Sequence, residues 1–349
     1  EKNESWFPIN DLPIGHNTKQ PKLSHNFSHV HFFYTKRNLF ILSKIFELIN
    51  KCDKDSIKSH LVSTFTGILL ISSQMYKWTG KKPRGILTGT LYVSSLRYEF
   101  ELKSMFKRKS NAIMKIEHKT DEQNTIITTQ PSTKIPQIPD NSVDYIFTDP
   151  PFGENIQYSE VNFLSEAWLN KFTKNKDETI ISRHQKKDLQ RYEQLLKSAF
   201  LENFRILKSG KFMTVIFHNT KKDVWNSLQN AITSSGFEII TSSILDKHQS
   251  SFKQTTTMGA VKKDIVLLAQ KPERILNKIG KNVDIEKFLI TSLSKNCNDK
   301  ERTFDYLFAR YIGRCFESNQ EIKSNSKDFK KILSKIANLD NNSWFLKND

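Results

Sequence analysis

Val143-Asp144-Tyr145-Ile146-Phe147-Thr148-Asp149-Pro150-Pro151-Phe152 is the stretch that decides how this chain folds. Its first six residues are mostly β-branched or aromatic, which suits a short strand. That strand stops at Asp149, because each of the two prolines that follow fixes φ and lacks an N–H. A helix is expected next, over about 161–172. Another is expected over 188–207, where Leu189, Tyr192, Leu195, Leu196, Ala199, Phe200, Phe204 and Leu207 form one stripe and Ser209-Gly210 caps the end. Strands at 212–217, 237–243 and 264–269, with a helix over 224–235, complete an alternation of strand and helix. The expectation is a doubly wound α/β sheet from about 140 to 272.

Working outward, residues 120–139 are polar and hold Pro131, Pro136 and Pro139, so they read as a linker. Before them, 35–119 is expected as a helical module. Ile41, Leu42, Ile45, Phe46, Leu48 and Ile49 recur at helical spacing, and 57–78 reads as a second, largely buried helix. A basic loop follows at 77–85. Residues 1–34, rich in Pro, Asn and His and without periodicity, are expected as an extended arm packed over another surface. After Pro272, residues 273–349 read as a helical tail with Phe304, Leu307, Phe308, Tyr311, Ile312, Cys315 and Phe316 on one face.

The charge balance narrows the partners. Lys and Arg number 54 against 37 Asp and Glu, a formal net charge of +17, and such a field gathers phosphate polyanions. A Lys- and Asn-rich composition inherited from the source would give the same excess. Cys52, Cys297 and Cys315 are an odd number at wide spacing, which fits neither a disulfide framework nor a zinc site, so a reducing cytoplasm is expected. No apolar run approaches the roughly 18 residues of a membrane span. The start at Glu1 carries no signal-peptide pattern, and the lack of Met there suggests a processed or excised piece.

In an open α/β sheet, ligands sit beyond the carboxyl ends of the strands, where this reading puts Asp149. The exocyclic amine of a nucleobase has its lone pair delocalised into the ring. Two fixed acceptors, the Asp149 carboxylate and the Pro150 carbonyl, would pull that nitrogen toward a tetrahedral geometry as charge develops. Pro151 stiffens the corner, and Phe152 would stack on a base swung out of the duplex, recovering about 1–3 kcal/mol of the extrusion cost. This chemistry calls for no metal. An Asp-Pro turn that merely leaves a strand would show the same tetrapeptide.

These residues carry a resemblance. Val143 through Glu160, including Gly153, Glu154, Asn155 and Tyr158, resembles the target-base motif of the N6-adenine/N4-cytosine DNA methyltransferase family. The likeness continues through Asn162-Phe163-Leu164, Ala167-Trp168-Leu169, Leu207-Lys208-Ser209-Gly210, Phe217-His218-Asn219, Gly236-Phe237 and Lys263-Asp264, and reaches back to Thr35-Lys36-Arg37-Asn38-Leu39. It implies a Rossmann-like class I methyltransferase sheet with flanking helical modules, S-adenosyl-L-methionine as cofactor, duplex DNA as substrate, and a place in bacterial restriction-modification or defence. Asp in the first motif position implies adenine N6 more than cytosine N4.

One departure qualifies it. The family's Phe-x-Gly-x-Gly loop, which holds the methyl donor, has no counterpart, since no two of the eleven glycines lie two apart. The sheet is therefore expected to be partial, with the donor-binding half supplied by a second chain or an upstream segment. Secondary candidates are His218 and Asn219, lining the site or holding its loop, and Gly153, Glu154, Asn155 and Tyr158, meeting the flipped base or its phosphate. Lys81, Lys82, Arg84, Lys107 and Arg108 are candidates for the nucleic-acid backbone. The competing expectation is a non-catalytic DNA-binding subunit that positions substrate for a partner methyltransferase.

Overall fold

The computed structural model describes residues 5–115, 125–245, 263–273, 283–295 and 298–347. Cys297 and residues 120–124 of the expected linker lie outside the described residues. The chain divides into two units, 1–128 with 156–178 and 129–155 with 179–349.

In the first unit, residues 1–34 are not the expected extended arm. They carry α1 (His16–His25) and a turn of 3-10 helix (Val30–Phe33). The reason is a remote cap. The buried carboxylate of Glu160 accepts the N–H of His16 (3.2 Å) and of Asn17 (2.7 Å), and the Asn17 amide Nδ2 (3.1 Å). Those N–H groups belong to the helix start, which has no partners of its own, and a carboxylate also complements the positive end of the helix dipole. Gly15 leaves room for it, because a Cβ there would stand 2.2 Å from Glu160 Oε1.

α2 (Lys36–Asn50) is capped by Thr35, whose Oγ1 accepts from the Asn38 N–H at 3.2 Å. α3 (Asp55–Leu69) ends earlier than its apolar run suggested. The chain then turns, and Lys77–Trp78 (β1) pairs antiparallel with Pro83–Gly85 (β2), so the expected basic loop is a hairpin. Gly80 supplies the positive φ that this turn requires. α4 (Leu102–Met114) and α5 (Tyr158–Leu169) complete the unit. Its core gathers Phe33, Leu42, Phe65, Leu69, Leu164 and Trp168, all fully buried. The Trp168 ring meets Phe65 and Phe46 edge-on at 5.3 and 5.8 Å, the arrangement aromatic quadrupoles favour.

The second unit is α/β with a mixed sheet. Its strands are β3 (Val143–Thr148), β4 (Leu207–Phe217), β5 (Glu238–Leu245) and β6 (Asp264–Gln270), in the order β3-β4-β6-β5. β3 and β4 run parallel through the crossover helix α6 (Leu189–Ile206), whereas β6 lies antiparallel between β4 and β5. The expected α/β class is present, as a mixed sheet in which, among the described residues, parallel pairing is confined to β3 and β4. Ser209-Gly210, expected as a helix cap, instead lies inside β4: α6 passes directly into the strand, and the Gly210 N–H, at φ +75°, donates to the Lys271 carbonyl.

One face of the sheet holds the core. Met213, Val215 and Phe217 pair with Ala269, Leu267 and Ile265, all buried. Helices α6 and α7 (Lys222–Thr233) add Tyr192, Leu196, Phe200, Trp225 and Leu228. On edge strand β3 the alternation puts Ile146 against this core and leaves Tyr145 and Phe147 on the other face, 53% and 62% exposed.

The described residues of 283–347 contribute to the same core. They carry α8 (Ile285–Ser294), α9 (Phe304–Glu317), α10 (Ser326–Ile336) and the hairpin β7 (Ala337–Asp340) with β8 (Ser343–Leu346). The apolar stripe of α9 is buried, and Gly313 brings the helix against β5, where a Cβ would stand 2.2 Å from Ser242 Oγ. Ser242 donates its N–H and hydroxyl to Glu317 Oε1 at 3.0 and 2.7 Å. Among the described residues, no helix is long and apolar enough to cross a membrane.

Candidate functional site

β3 delivers Asp149 to its carboxyl end, and there the side chain is exposed while Pro150 behind it is buried. The loop that follows is pinned carbonyl by carbonyl. Buried Tyr192 on α6 donates its hydroxyl to the Pro151 carbonyl at 2.5 Å. The Phe152 carbonyl accepts from Asn219 Nδ2 at 3.2 Å and from the Asn155 N–H at 3.4 Å. The Gly153 carbonyl accepts the Ile181 N–H at 3.2 Å. Gly153 itself is buried at φ +70°, and a Cβ there would meet Ile181 and Val224 at 3.4 Å. Two prolines fix φ from within and three side contacts fix the loop from without, so Asp149 leaves a rigid corner.

Asn219, at the carboxyl end of β4, ties that corner to the next helix. Its Oδ1 accepts the N–H groups of Thr220 (2.8 Å) and Lys221 (2.9 Å), an Asx turn leading into α7. Its backbone carbonyl accepts from Trp225 Nε1 at 3.0 Å. The buried Asn219 side chain therefore holds the loop of Phe152, one of the two roles expected of it. Phe152 is half-buried. Its ring meets Phe217 edge-on at 5.1 Å and lies 6.3 Å from the His218 ring. His218 Nδ1 lies 3.1 Å from the Lys263 carbonyl and 3.5 Å from a carboxylate oxygen of buried Asp264. Exposed Glu154 pairs with Lys221 at 2.6 Å. Such a surface pair adds little stability.

The structure thus brings together Asp149 to Asn155, His218 and Asn219 within the second unit. Tyr158 opens α5 in the first unit. Lys81, Lys82 and Arg84 stand exposed on the β1–β2 hairpin, which is braced by Trp78 stacked on Tyr98 at 5.7 Å and 18°. Lys107 and Arg108 lie on α4. Tyr192 and Ile181 are loop supports that the sequence did not single out. Tyr192 appeared only as a member of an apolar stripe, and nothing in that stripe marks its hydroxyl as a donor to a proline carbonyl 41 residues away.

No family model matches the sequence, and no curated protein matches it. Solved structures do. TTHA0409 of Thermus thermophilus, provisionally named a DNA modification methylase, matches at 13% identity over 45% of this chain and 59% of its own, with a TM-score of 0.23. A SAM-dependent methyltransferase of Methanosarcina mazei matches at 11% over 42% and 67%, TM-score 0.24, and the M1.HpyAVI–SAM complex at 13% over 56% and 88%, TM-score 0.21. The [4+2]-cyclase SpnF scores comparably, at 14% identity and 0.22, so these matches do not discriminate between activities. This chain spans about three fifths of the TTHA0409 chain.

Proposed function

We propose that the chain is the target-base half of an S-adenosyl-L-methionine-dependent DNA amino-methyltransferase, acting on adenine N6 in preference to cytosine N4. The observation that carries the reading is Asp149: exposed at the carboxyl end of a parallel strand, on a loop whose carbonyls at Pro151, Phe152 and Gly153 are all bonded. In this reading the Asp149 carboxylate and the Pro150 carbonyl accept the two N–H bonds of the amine, Phe152 supports the extruded ring, and Asn219 and Tyr192 keep the acceptors from moving. Preorganised acceptors of this kind are typically worth about 10²–10³ in rate.

The donor's own site does not fit this chain. A glycine-rich turn after a strand is what lets a backbone approach such a cofactor, and the eleven glycines never fall two apart. A second chain or further segment is therefore part of the proposal, as is a cytoplasmic restriction-modification or defence setting. The donor supplies an electrophilic methyl group, and this chain supplies the amine's orientation. The proposed backbone contacts are Lys81, Lys82, Arg84, Lys107 and Arg108, with Gly153, Glu154, Asn155, Tyr158 and His218 nearer the base.

The test is product analysis of duplex DNA treated with the reconstituted enzyme and labelled donor. N6-methyladenine that disappears with Asp149→Ala supports the reading. N4-methylcytosine would move the specificity. Undiminished product from Asp149→Ala would favour the competing role of a DNA-binding subunit whose partner does the chemistry.

A further inference from the structure

α4 is fixed in rotation by its own apolar side. Leu102 and Met105 are buried, Phe106 packs against the first unit's core, and Lys109 lies over α3, its Cε 2.5 Å from where a Cβ on Gly67 would stand. At 3.6 residues per turn, the opposite side presents Ser104, Lys107, Arg108, Asn111 and Lys115. Residues 102–115 contain no Asp or Glu. The Arg108 guanidinium lies along the helix, Nη2 3.8 Å from Met105 Sδ, a neutral contact, and among the described residues no carboxylate is paired with it.

The helix start, ordinarily a seat for an anion, is already filled. Glu101 accepts the N–H groups of Lys103 (2.9 Å) and Ser104 (2.7 Å) with its own carboxylate. An anion is therefore met along the flank by side chains, not at the helix end. Ser104 and Lys115 stand eleven residues apart, about 16 Å at 1.5 Å per residue. Phosphates of one duplex strand advance about 3.4 Å each along the axis, so that length faces several of them.

We propose that this outward face of α4 is a ridge that follows the phosphates of one strand of duplex DNA. Lys107, Arg108 and Lys115 each neutralise a phosphate, and Ser104 and Asn111 add uncharged hydrogen bonds between them. The ridge fixes the register of the duplex and carries no base specificity. It rests on the reading of the substrate as duplex DNA, and it extends the two cations already assigned to the backbone into a continuous track.

The test is the salt dependence of duplex binding by the full chain, read as the slope of log K against log salt concentration. Lys107→Ala, Arg108→Ala and Lys115→Ala together are expected to make the slope shallower by about 2.7, at 0.9 per released counterion. Lys107→Arg, Arg108→Lys and Lys115→Arg together should keep the native slope. Lys327→Ala, Lys331→Ala and Lys335→Ala remove the same charge at helical spacing from α10 and should also leave it unchanged. Equal shifts from the α4 and α10 sets would reduce the effect to net charge and overturn the proposal. So would an unchanged slope in the α4 set, a charge-preserving set that loses it, or a native chain that binds single-stranded RNA more tightly than the duplex. Methyl transfer by the reconstituted enzyme is scored separately: its absence alongside the expected slopes would sink the enzymatic reading and leave the ridge standing.

Discussion

Asn219→Asp separates the two jobs of one buried side chain. The aspartate keeps an acceptor oxygen for the Thr220 and Lys221 N–H groups, so the Asx turn into α7 survives. It replaces the Nδ2 donor to the Phe152 carbonyl with an oxygen, and two acceptors then face each other near 3.2 Å in a site that is 4% exposed. Losing that hydrogen bond and setting two buried acceptors against each other costs about 1–3 kcal/mol. At 1.36 kcal/mol per tenfold, opening of the loop becomes about 5- to 150-fold more frequent. Amide hydrogen exchange reads this directly. The Asn155 and Ile181 N–H groups, bonded to the Phe152 and Gly153 carbonyls, should exchange faster by that factor, while amides of β4 and β6 keep their native protection apart from any uniform global loss. Equal acceleration everywhere, or none at Asn155 and Ile181, would refute the idea that Asn219 rigidifies the corner.

Gly15→Ala forces a methyl group to within 2.2 Å of Glu160 Oε1 and displaces the cap of α1. Stability should fall by about 2–4 kcal/mol, typical of a disrupted buried polar network, and limited proteolysis should open residues before Thr35 first. Burial pushes the Cys315 thiol up to about 11. A thiol whose folded pKa is raised keeps its full contribution below its unfolded pKa near 8.5 and loses it as pH rises toward 11. Unfolding free energy should therefore drop by up to about 2–3 kcal/mol between pH 9 and 11, and Cys315→Ala should flatten that part of the profile in denaturant titrations. The Glu202 carboxylate is held down to about 2, first by hydrogen bonds from Arg205, so its contribution is present above pH 4.5 and fades as pH falls toward 2. Glu202→Gln should make acid unfolding less steep over that window.

What the sequence revealed was local. The alternation in β3, its stop at two prolines, the stripe on α6 and the stripe on α9 are all written within a few residues, and each element formed close to its expected place. What it hid was remote. α1 has almost no apolar periodicity of its own and depends on a carboxylate 143 residues further on, so its segment reads as an extended arm. The antiparallel insertion of β6 between β4 and β5 is a choice of strand order, and apolar runs buried on a sheet look alike in either direction. The α9 stripe showed that a face would be buried, and only the structure showed that β5 covers it, through Gly313 and Ser242. The same holds for the candidate site. Asp149 to Phe152 are contiguous and legible, whereas Tyr192 and Asn219, which hold their carbonyls, sit 41 and 67 positions away.

The most direct measurement is the single-turnover rate of methyl transfer to duplex DNA by the reconstituted enzyme carrying Asp149→Asn, set beside its duplex affinity. The substitution keeps size and shape but turns one acceptor into a donor facing the target amine. A rate reduced by about 10²-fold or more with affinity essentially native is the predicted result, since a preorganised acceptor acts on the transition state and not on the bound duplex. Transfer at the native rate would contradict the assignment of Asp149 to the chemistry.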